Sequence, residues 1–254
     1  MHVRDEDAVR HVTFDRPDSK NALTADVARE LAGVLEDLDP DSLDAVVITG
    51  TGDAFSAGGD IQAMAEREES AREAYDRVRG TLGRVAEAIL SAPLPVVAKV
   101  NGDAVGAGLS LVAAADFAYA ASDARFDASF INVGLVPDLG GTVTLPRLVG
   151  LRTAKELAFT GELIDAERAA ALDLINEVAP DGELEATVDD LLETLAARPT
   201  ENLALAKEAI HENLGRSIDD GLRREAHFQT LAYDTDAHRE GVEAFLEGRR
   251  PDFD

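Results

Sequence analysis

No cysteine occurs among the 254 residues, which excludes a disulfide framework and any thiolate nucleophile or metal ligand. Lysine is almost missing, with Lys20, Lys99, Lys155 and Lys207 the full set. No apolar run reaches the length of about 20 residues that crosses a bilayer. The opening Met1-His2-Val3-Arg4-Asp5-Glu6-Asp7 has none of the apolar character of a secretory leader. These absences predict a cytoplasmic protein that does not partner a membrane. The five histidines, His2, His11, His211, His227 and His238, show no zinc spacing, so no metal site is expected. There is no G-x-S-x-G elbow, which argues against a serine hydrolase. Gly50-Thr51-Gly52 is not followed by Gly-Lys-Ser/Thr, which excludes a phosphate-cradling P-loop.

Acidic residues are plentiful. Fifty Asp and Glu against 24 Lys and Arg give a formal net charge of -26. An acidic surplus with so little lysine resembles the composition of proteins from salt-loving, haloarchaeal-like organisms, in which salt screens the self-repulsion of the surface. A nucleic-acid partner is not expected, because phosphate binding needs a basic face.

Alternation in Val9-Arg10-His11-Val12-Thr13-Phe14 predicts a strand. Thr24 is placed to cap an amphipathic helix running through Leu31, Val34, Leu35 and Leu38. Ala45 to Thr49 and Pro95 to Val100 predict buried strands, and the charged stretch 61–91 predicts helix. Within that stretch, Glu66-Arg67-Glu68-Glu69 reads as a solvated charge run. Leu109 to Ala115 is apolar on all sides and predicts a buried helix. Short strands are expected at 116–120 and 125–126, and helices at about 151–159, 165–172, 183–197, 201–214 and 217–247. The order predicts a mixed α/β core at 1–198 and a helical region at 199–254, divided near Pro199.

Two glycine-rich turns follow the apolar strands. Phe55-Ser56-Ala57-Gly58-Gly59-Asp60 comes after the first, and Asn101-Gly102-Asp103-Ala104-Val105-Gly106-Ala107-Gly108 after the second. Glycine permits close backbone approach, and a helix start presents unpaired N–H groups. Two such turns facing one another could aim two donors at one oxygen, which is an oxyanion hole. Gly106-Ala107-Gly108 also matches part of a dinucleotide fingerprint, but Leu111 occupies the third glycine position.

These segments come in a particular order. Arg16-Pro17 precedes Asn21-Ala22-Leu23, the two glycine turns, and Gly134-Leu135-Val136-Pro137-Asp138 with Gly140-Gly141-Thr142; the tail is Arg239 to Glu247. In this order and spacing the chain resembles the enoyl-CoA hydratase/isomerase (crotonase) family over residues 9–253, nearly its whole length. The resemblance implies an α/β, crotonase-like (ClpP/crotonase) spiral of ββα units with a C-terminal helical trimerisation region. It further implies an acyl-CoA substrate, no separate cofactor beyond the coenzyme A of that substrate, and a homotrimer or hexamer. The implied oxyanion donors are the N–H groups of Gly59 and Ala107. For substrate and coenzyme A the resemblance points to Lys20, Asn21, Ala22, Ala57, Asp60, Ile61, Gly108 and Phe130. Near the C-terminus it adds Phe245, with Arg249 or Arg250 on the phosphates.

The two glutamates of the family's hydratases would fall at positions occupied here by Ser110 and Phe130. Asp138 is the carboxylate left in that neighbourhood. In isomerases that this chain resembles, including the phenylacetate-pathway type, an aspartate of a Gly-Leu-x-Pro-Asp segment is the base. Asp138 is therefore expected to be the base of a double-bond isomerase, with a pKa raised by burial among Phe130, Leu135, Val136 and Leu139. Three alternatives remain open on the residues. Asp138 could cap a helix starting near Leu139; the chain could be a hydratase that recruits water differently; or it could be a non-catalytic family member.

Overall fold

A computed structural model of the chain describes residues 1–253. Its ten strands form two sheets. The larger contains β1 (His2–Glu6), β2 (Val9–Phe14), β3 (Ala45–Gly50), β5 (Val96–Val100), β7 (Phe117–Ala120) and β10 (Glu177–Val178), in that spatial order. The smaller contains β4 (Ala54–Ser56), β6 (Asp103–Val105), β8 (Arg125–Asp127) and β9 (Leu163–Asp165). Apart from the β1–β2 hairpin and the β8–β9 pair, neighbours run parallel. Each turn of the spiral sends one strand to the large sheet, the next to the small sheet, and then a helix back. Strand β5, strand β6 and helix α5 (Ala107–Ala114) are one such unit.

The remaining helices in the first half are α1 (Ala25–Glu36), α2 (Ile61–Ala65), α3 (Ala71–Gly80) and α4 (Leu82–Leu90). After α5 come α6 (Gly141–Leu148), α7 (Gly150–Thr160), α8 (Ala166–Ala171), α9 (Leu184–Ala196), α10 (Thr200–Asn213), α11 (Ile218–Tyr233) and α12 (Asp236–Glu247). Thr24 caps α1 as its sequence position implies, its hydroxyl accepting from the Val27 N–H at 3.2 Å. The core lies where β3, β5 and α5 meet: Val46, Ile48, Val96, Ala98, Leu109 and Leu111 are essentially unexposed. Burying each large aliphatic side chain here contributes about 1.5–3 kcal/mol. Helix α5 is buried on every face, which explains why its sequence shows no polar stripe.

Three sequence expectations change. The stretch 217–247 is two helices, because Thr235 stops one and starts the next, its Oγ1 accepting from the His238 N–H at 3.1 Å. The helix expected near Leu139 begins at Gly141, because Leu139 and Gly140 both take left-handed backbone angles, φ 48° and 78°. Strand β1 was not foreseen. It pairs with β2 through a two-residue turn whose central Asp7 and Ala8 both have positive φ, a geometry usually signalled by Asn-Gly or Asp-Gly.

Candidate active site

Parallel pairing of β4 with β6 aligns Ala54 with Asp103 and Ser56 with Ala104. Both glycine turns therefore leave the small sheet side by side at the same end. Their contact is tight enough to dictate glycine. A Cβ on Gly58, which has φ +81°, would lie 2.5 Å from the Val105 carbonyl oxygen and 3.1 Å from the Ala107 nitrogen. A Cβ on Gly108 would lie 2.4 Å from the Ser56 carbonyl oxygen. Among the described residues, neither the Gly59 N–H nor the Ala107 N–H has an acceptor. Ala107 opens α5, so its amide sits at the positive end of that helix dipole.

The loop 16–23 stitches this arrangement together. The Leu23 N–H donates to the Gly58 carbonyl at 2.7 Å, and the Ala57 N–H to the Lys20 carbonyl at 2.8 Å. Asn21 is 1% exposed. Its Nδ2 donates to the carbonyls of Ala54 and Thr51, and its Oδ1 accepts from the Arg16 N–H. Asn21 thus holds the loop to the end of β4, and its side chain has no free donor for a ligand. Ala22 is buried as well, while Lys20 remains largely exposed with its ammonium 4.0 Å from Asp53. Asp60 caps α2 through the Ala63 N–H at 3.0 Å and accepts from Arg16 Nη2 at 3.3 Å. The Ala63 bond, and then Arg16, hold its carboxyl below the usual range against some desolvation. Ile61 is exposed.

On the other side of α5, Ser110 is fully buried and its hydroxyl has no partner. A Cβ on Gly141 would come within 2.4 Å of that hydroxyl and 3.3 Å of Pro137 Cβ, so the 137–141 turn rests directly on α5. Phe130 is buried, with its ring edge 4.0 Å from the Cβ position of Gly106. Asp138 rides on this turn. Its Oδ1 is buried without a hydrogen-bond partner, and desolvation pushes its pKa up to about 6, against the opposing effects of its own backbone N–H and of Arg77. Asp138 does not cap α6 with its side chain: Gly140 occupies the cap position with no side-chain bond, and only the Asp138 carbonyl is used, accepting from the Gly141 N–H at 2.8 Å. Of the apolar neighbours expected to bury it, Phe130 and Leu139 are buried. Leu135 and Val136 instead face outward, 42% and 75% exposed.

The C-terminal candidates stand apart. Phe245 is 85% exposed and lines a groove with Leu222 and Phe228 from α11. Arg249, expected at a phosphate, is occupied: Glu240 takes its fork at 2.5 and 3.0 Å, and Glu247 takes its Nε at 2.7 Å. Asp103 likewise is engaged, by both arms of Arg125. One group escaped the sequence reading. Met64 lays its methyl group over Gly59, 2.3 Å from where a Cβ would be. Glu69, read above as part of a solvated charge run, is indeed exposed, and its carboxylate pairs with Arg77 at 2.6 Å.

A spiral of strand–strand–helix units whose adjoining turns present two free amides is the crotonase fold, and solved structures share it closely. The crystal structure of an enoyl-CoA hydratase from Mycobacterium smegmatis superposes with a TM-score of 0.92 at 34% identity, covering 99% of this chain and 98% of that one. This chain belongs to the enoyl-CoA hydratase/isomerase family, matching it over residues 4–254. It is 40% identical to a probable enoyl-CoA hydratase of Rhodobacter capsulatus, across 95% of this chain and 93% of that protein. It is 34% identical to the 1,2-epoxyphenylacetyl-CoA isomerase of Escherichia coli, across 98% and 95%. Hydratase names predominate among the similar proteins.

Proposed function

We propose that this family member shifts the double bond of an enoyl-CoA thioester, with Asp138 as the base. The observation that carries the reading is the half-buried Asp138 carboxyl, whose Oδ1 is buried without a hydrogen-bond partner and whose pKa is raised to about 6, in a site where Ser110 and Phe130 stand at the positions that the family resemblance gives to the hydratases' glutamates. In this mechanism the thioester carbonyl oxygen accepts from the N–H groups of Gly59 and Ala107. Asp138 removes a proton from C2 of a 3-enoyl-CoA, and the C–H electron pair moves into a dienolate whose charge rests on that oxygen. The same carboxyl returns the proton at C4, giving the 2-enoyl-CoA. One carboxyl suffices, because no atom is gained or lost. At pH 7 a carboxyl of pKa about 6 is roughly nine-tenths ionised, yet it is a stronger base than an exposed aspartate.

Lys20, the Ala57–Ile61 segment and Gly108 are proposed to border the thioester and pantetheine. Phe130 excludes water from the carbon that must be reprotonated. Arg250 takes the phosphate role on this reading, since Arg249 is paired with Glu240 and Glu247. A trimeric or hexameric assembly is proposed through α10–α12, whose Ile210, Ile218, Leu222, Phe245 and Leu246 are exposed.

The hydratase names of similar proteins favour a second reading, water addition to a 2-enoyl-CoA. One comparison separates the two: rates of 3-enoyl-CoA isomerisation and of crotonyl-CoA hydration, each for the unaltered protein and for Asp138→Asn. Isomerisation that dominates and collapses in the variant supports the first. Efficient hydration that survives the substitution overturns it.

A further inference from the structure

We infer that Met64 is a specificity-determining wall of the acyl-CoA site, a thioether that touches the acyl group beside its carbonyl and disfavours thioesters branched at C2. This rests on the proposed seating of the thioester oxygen at the Gly59 amide, and it is independent of which residue acts as base.

Helix α2 starts directly after Gly59. Asp60 caps it, accepting from the Ala63 N–H at 3.0 Å, and the Met64 N–H donates to the Asp60 carbonyl at 3.0 Å. One turn of helix therefore folds Met64 back over the residue before the cap. In a hydrophobic staple, an apolar side chain just before the cap packs on one at the fourth helical position. Gly59 and Met64 hold those two positions, but the glycine brings no side chain. The Met64 methyl consequently fills the place that a Gly59 Cβ would take.

That methyl is the only cover. Among the described residues, and chain neighbours aside, no other heavy atom comes within 4 Å of the Gly59 Cβ position. The adjoining glycines differ, because backbone closes them in: Val105 and Ala107 at Gly58, and Ser56 at Gly108. On the second turn, Gly106 meets the Phe130 ring alone, at 4.0 Å. Each turn thus sets one apolar side chain next to its proposed donor, Met64 at Gly59 and Phe130 beside Ala107.

Met64 is anchored at its backbone and adjustable at its tip. Asp60 accepts from Arg16 Nη2 at 3.3 Å, and Arg16 Nη1 donates to the Ala22 carbonyl at 2.6 Å. These bonds tie the first turn of α2 to the 16–23 loop. Beyond them α2 buries no residue, and Met64 is only partly buried. Its unbranched, polarisable side chain can shape itself to a narrow apolar group.

The position of the wall decides what it senses. A carbonyl oxygen accepting from the Gly59 N–H lies about 3 Å from that nitrogen. A methyl over the Gly59 Cα then meets groups one or two bonds from the carbonyl carbon, while the far end of a long chain lies beyond it. A straight chain passes the thioether. A methyl branch at C2 needs the volume that the thioether fills, and a misfit of that size is worth about 10-fold or more.

Saturated acyl-CoAs provide the test, because they have no double bond to move. Calorimetry compares Kd for butyryl-CoA, octanoyl-CoA and isobutyryl-CoA in the parent, Met64→Ala and Met64→Leu. The parent is expected to prefer butyryl-CoA to isobutyryl-CoA by about 10-fold. Met64→Ala is expected to reduce that preference to about 2-fold, by tightening isobutyryl-CoA, with the octanoyl-to-butyryl ratio unchanged. Met64→Leu, of similar volume, is expected to keep it. Met1 and Met64 are the only methionines, so ¹³C-methyl labelling gives two NMR signals, and Met64→Leu identifies the second. That signal is expected to shift when butyryl-CoA binds. A parent without the preference, a preference unchanged in Met64→Ala, or binding that leaves the Met64 signal in place overturns the inference while the family site stands. An equal change for all three ligands overturns it too, since Met64 would then border the shared pantetheine. If butyryl-CoA does not bind at all, the thioester seat at Gly59 falls, and the wall with it.

Discussion

Replacing Asp138 by asparagine should trade activity for stability. The side chain keeps its size but can no longer take a proton, and general-base catalysis is worth about 10²–10⁴-fold. A loss of at least about 10² in 3-enoyl-CoA isomerisation is expected, or roughly 2.7 kcal/mol of barrier, with acyl-CoA binding largely kept. Stability should change in the other direction. The folded-state pKa is raised from 3.8 to about 6, so the ionised carboxylate is disfavoured by folding. Above pH 6 this costs the native state up to about 3 kcal/mol at 1.36 kcal/mol per pH unit. The cost shrinks as pH falls through 6 and vanishes below 3.8, where both folded and unfolded chains are protonated. Asparagine removes the charge but still buries an amide, so about half of the gain should survive. For a chain of this size that is a Tm rise of about 3–6 °C at pH 8, shrinking toward zero by pH 4. The assay is a pair of thermal melts at those two pH values beside initial rates, with exposed Asp189→Asn as the charge control. A variant that melts lower than the parent at pH 8 while retaining its rate would refute the reasoning and make Asp138 a structural turn residue.

Gly58→Ala must push its new methyl against the Val105 carbonyl and strain a backbone at φ +81°; isomerisation should fall by about 10² or more, which steady-state kinetics on folded protein checks. Light scattering should give a mass several times the 27.0 kDa of one chain, and Leu246→Asp with Phe245→Asp should shift it toward one chain; a monomeric parent would end the assembly proposal. Because the net charge is -26, Tm should climb as KCl rises from millimolar to molar concentration. A Tm that falls with salt would contradict the screening argument.

The sequence exposed what is repeated or continuous. Strands β3 and β5 are unbroken apolar runs, α5 is apolar all round, and the paired glycine turns stand directly after their strands. What it concealed was short or contextual. Strands β4, β6, β9 and β10 have two or three residues each, fewer than any alternation can reveal. The left-handed Leu139 could not be foreseen, since a leucine there is held only by the packing that buries it. Of the candidate site, the motifs single out Asp138, Gly59 and Ala107, whose roles are proposals; the structure adds that, among the described residues, the two amides carry no acceptor and Asp138 Oδ1 has no partner. Asn21 was named for substrate, whereas it holds its own loop to β4, a role that depends on carbonyls 30 and 33 residues further on.

Both proposed oxyanion donors are main-chain amides, and the turns that carry them interlock through the close approach of Gly58 to Val105 and of Gly108 to Ser56. On the proposed mechanism, the part of the protein that stabilises the enolate is thus separable from the part that chooses what happens to it. Positions 110, 130 and 138 lie on α5, the 129–133 segment and the 137–141 turn, outside that interlock, so on the proposed reading they can change identity while the amide pair stays in place. A scaffold wired in this way behaves like a socket: exchanging one carboxylate for another, or moving it by a helical turn, changes the fate of the same intermediate. For this chain, installing glutamates at 110 and 130 in an Asp138→Asn background is a direct route to asking whether water addition can be written onto the existing frame.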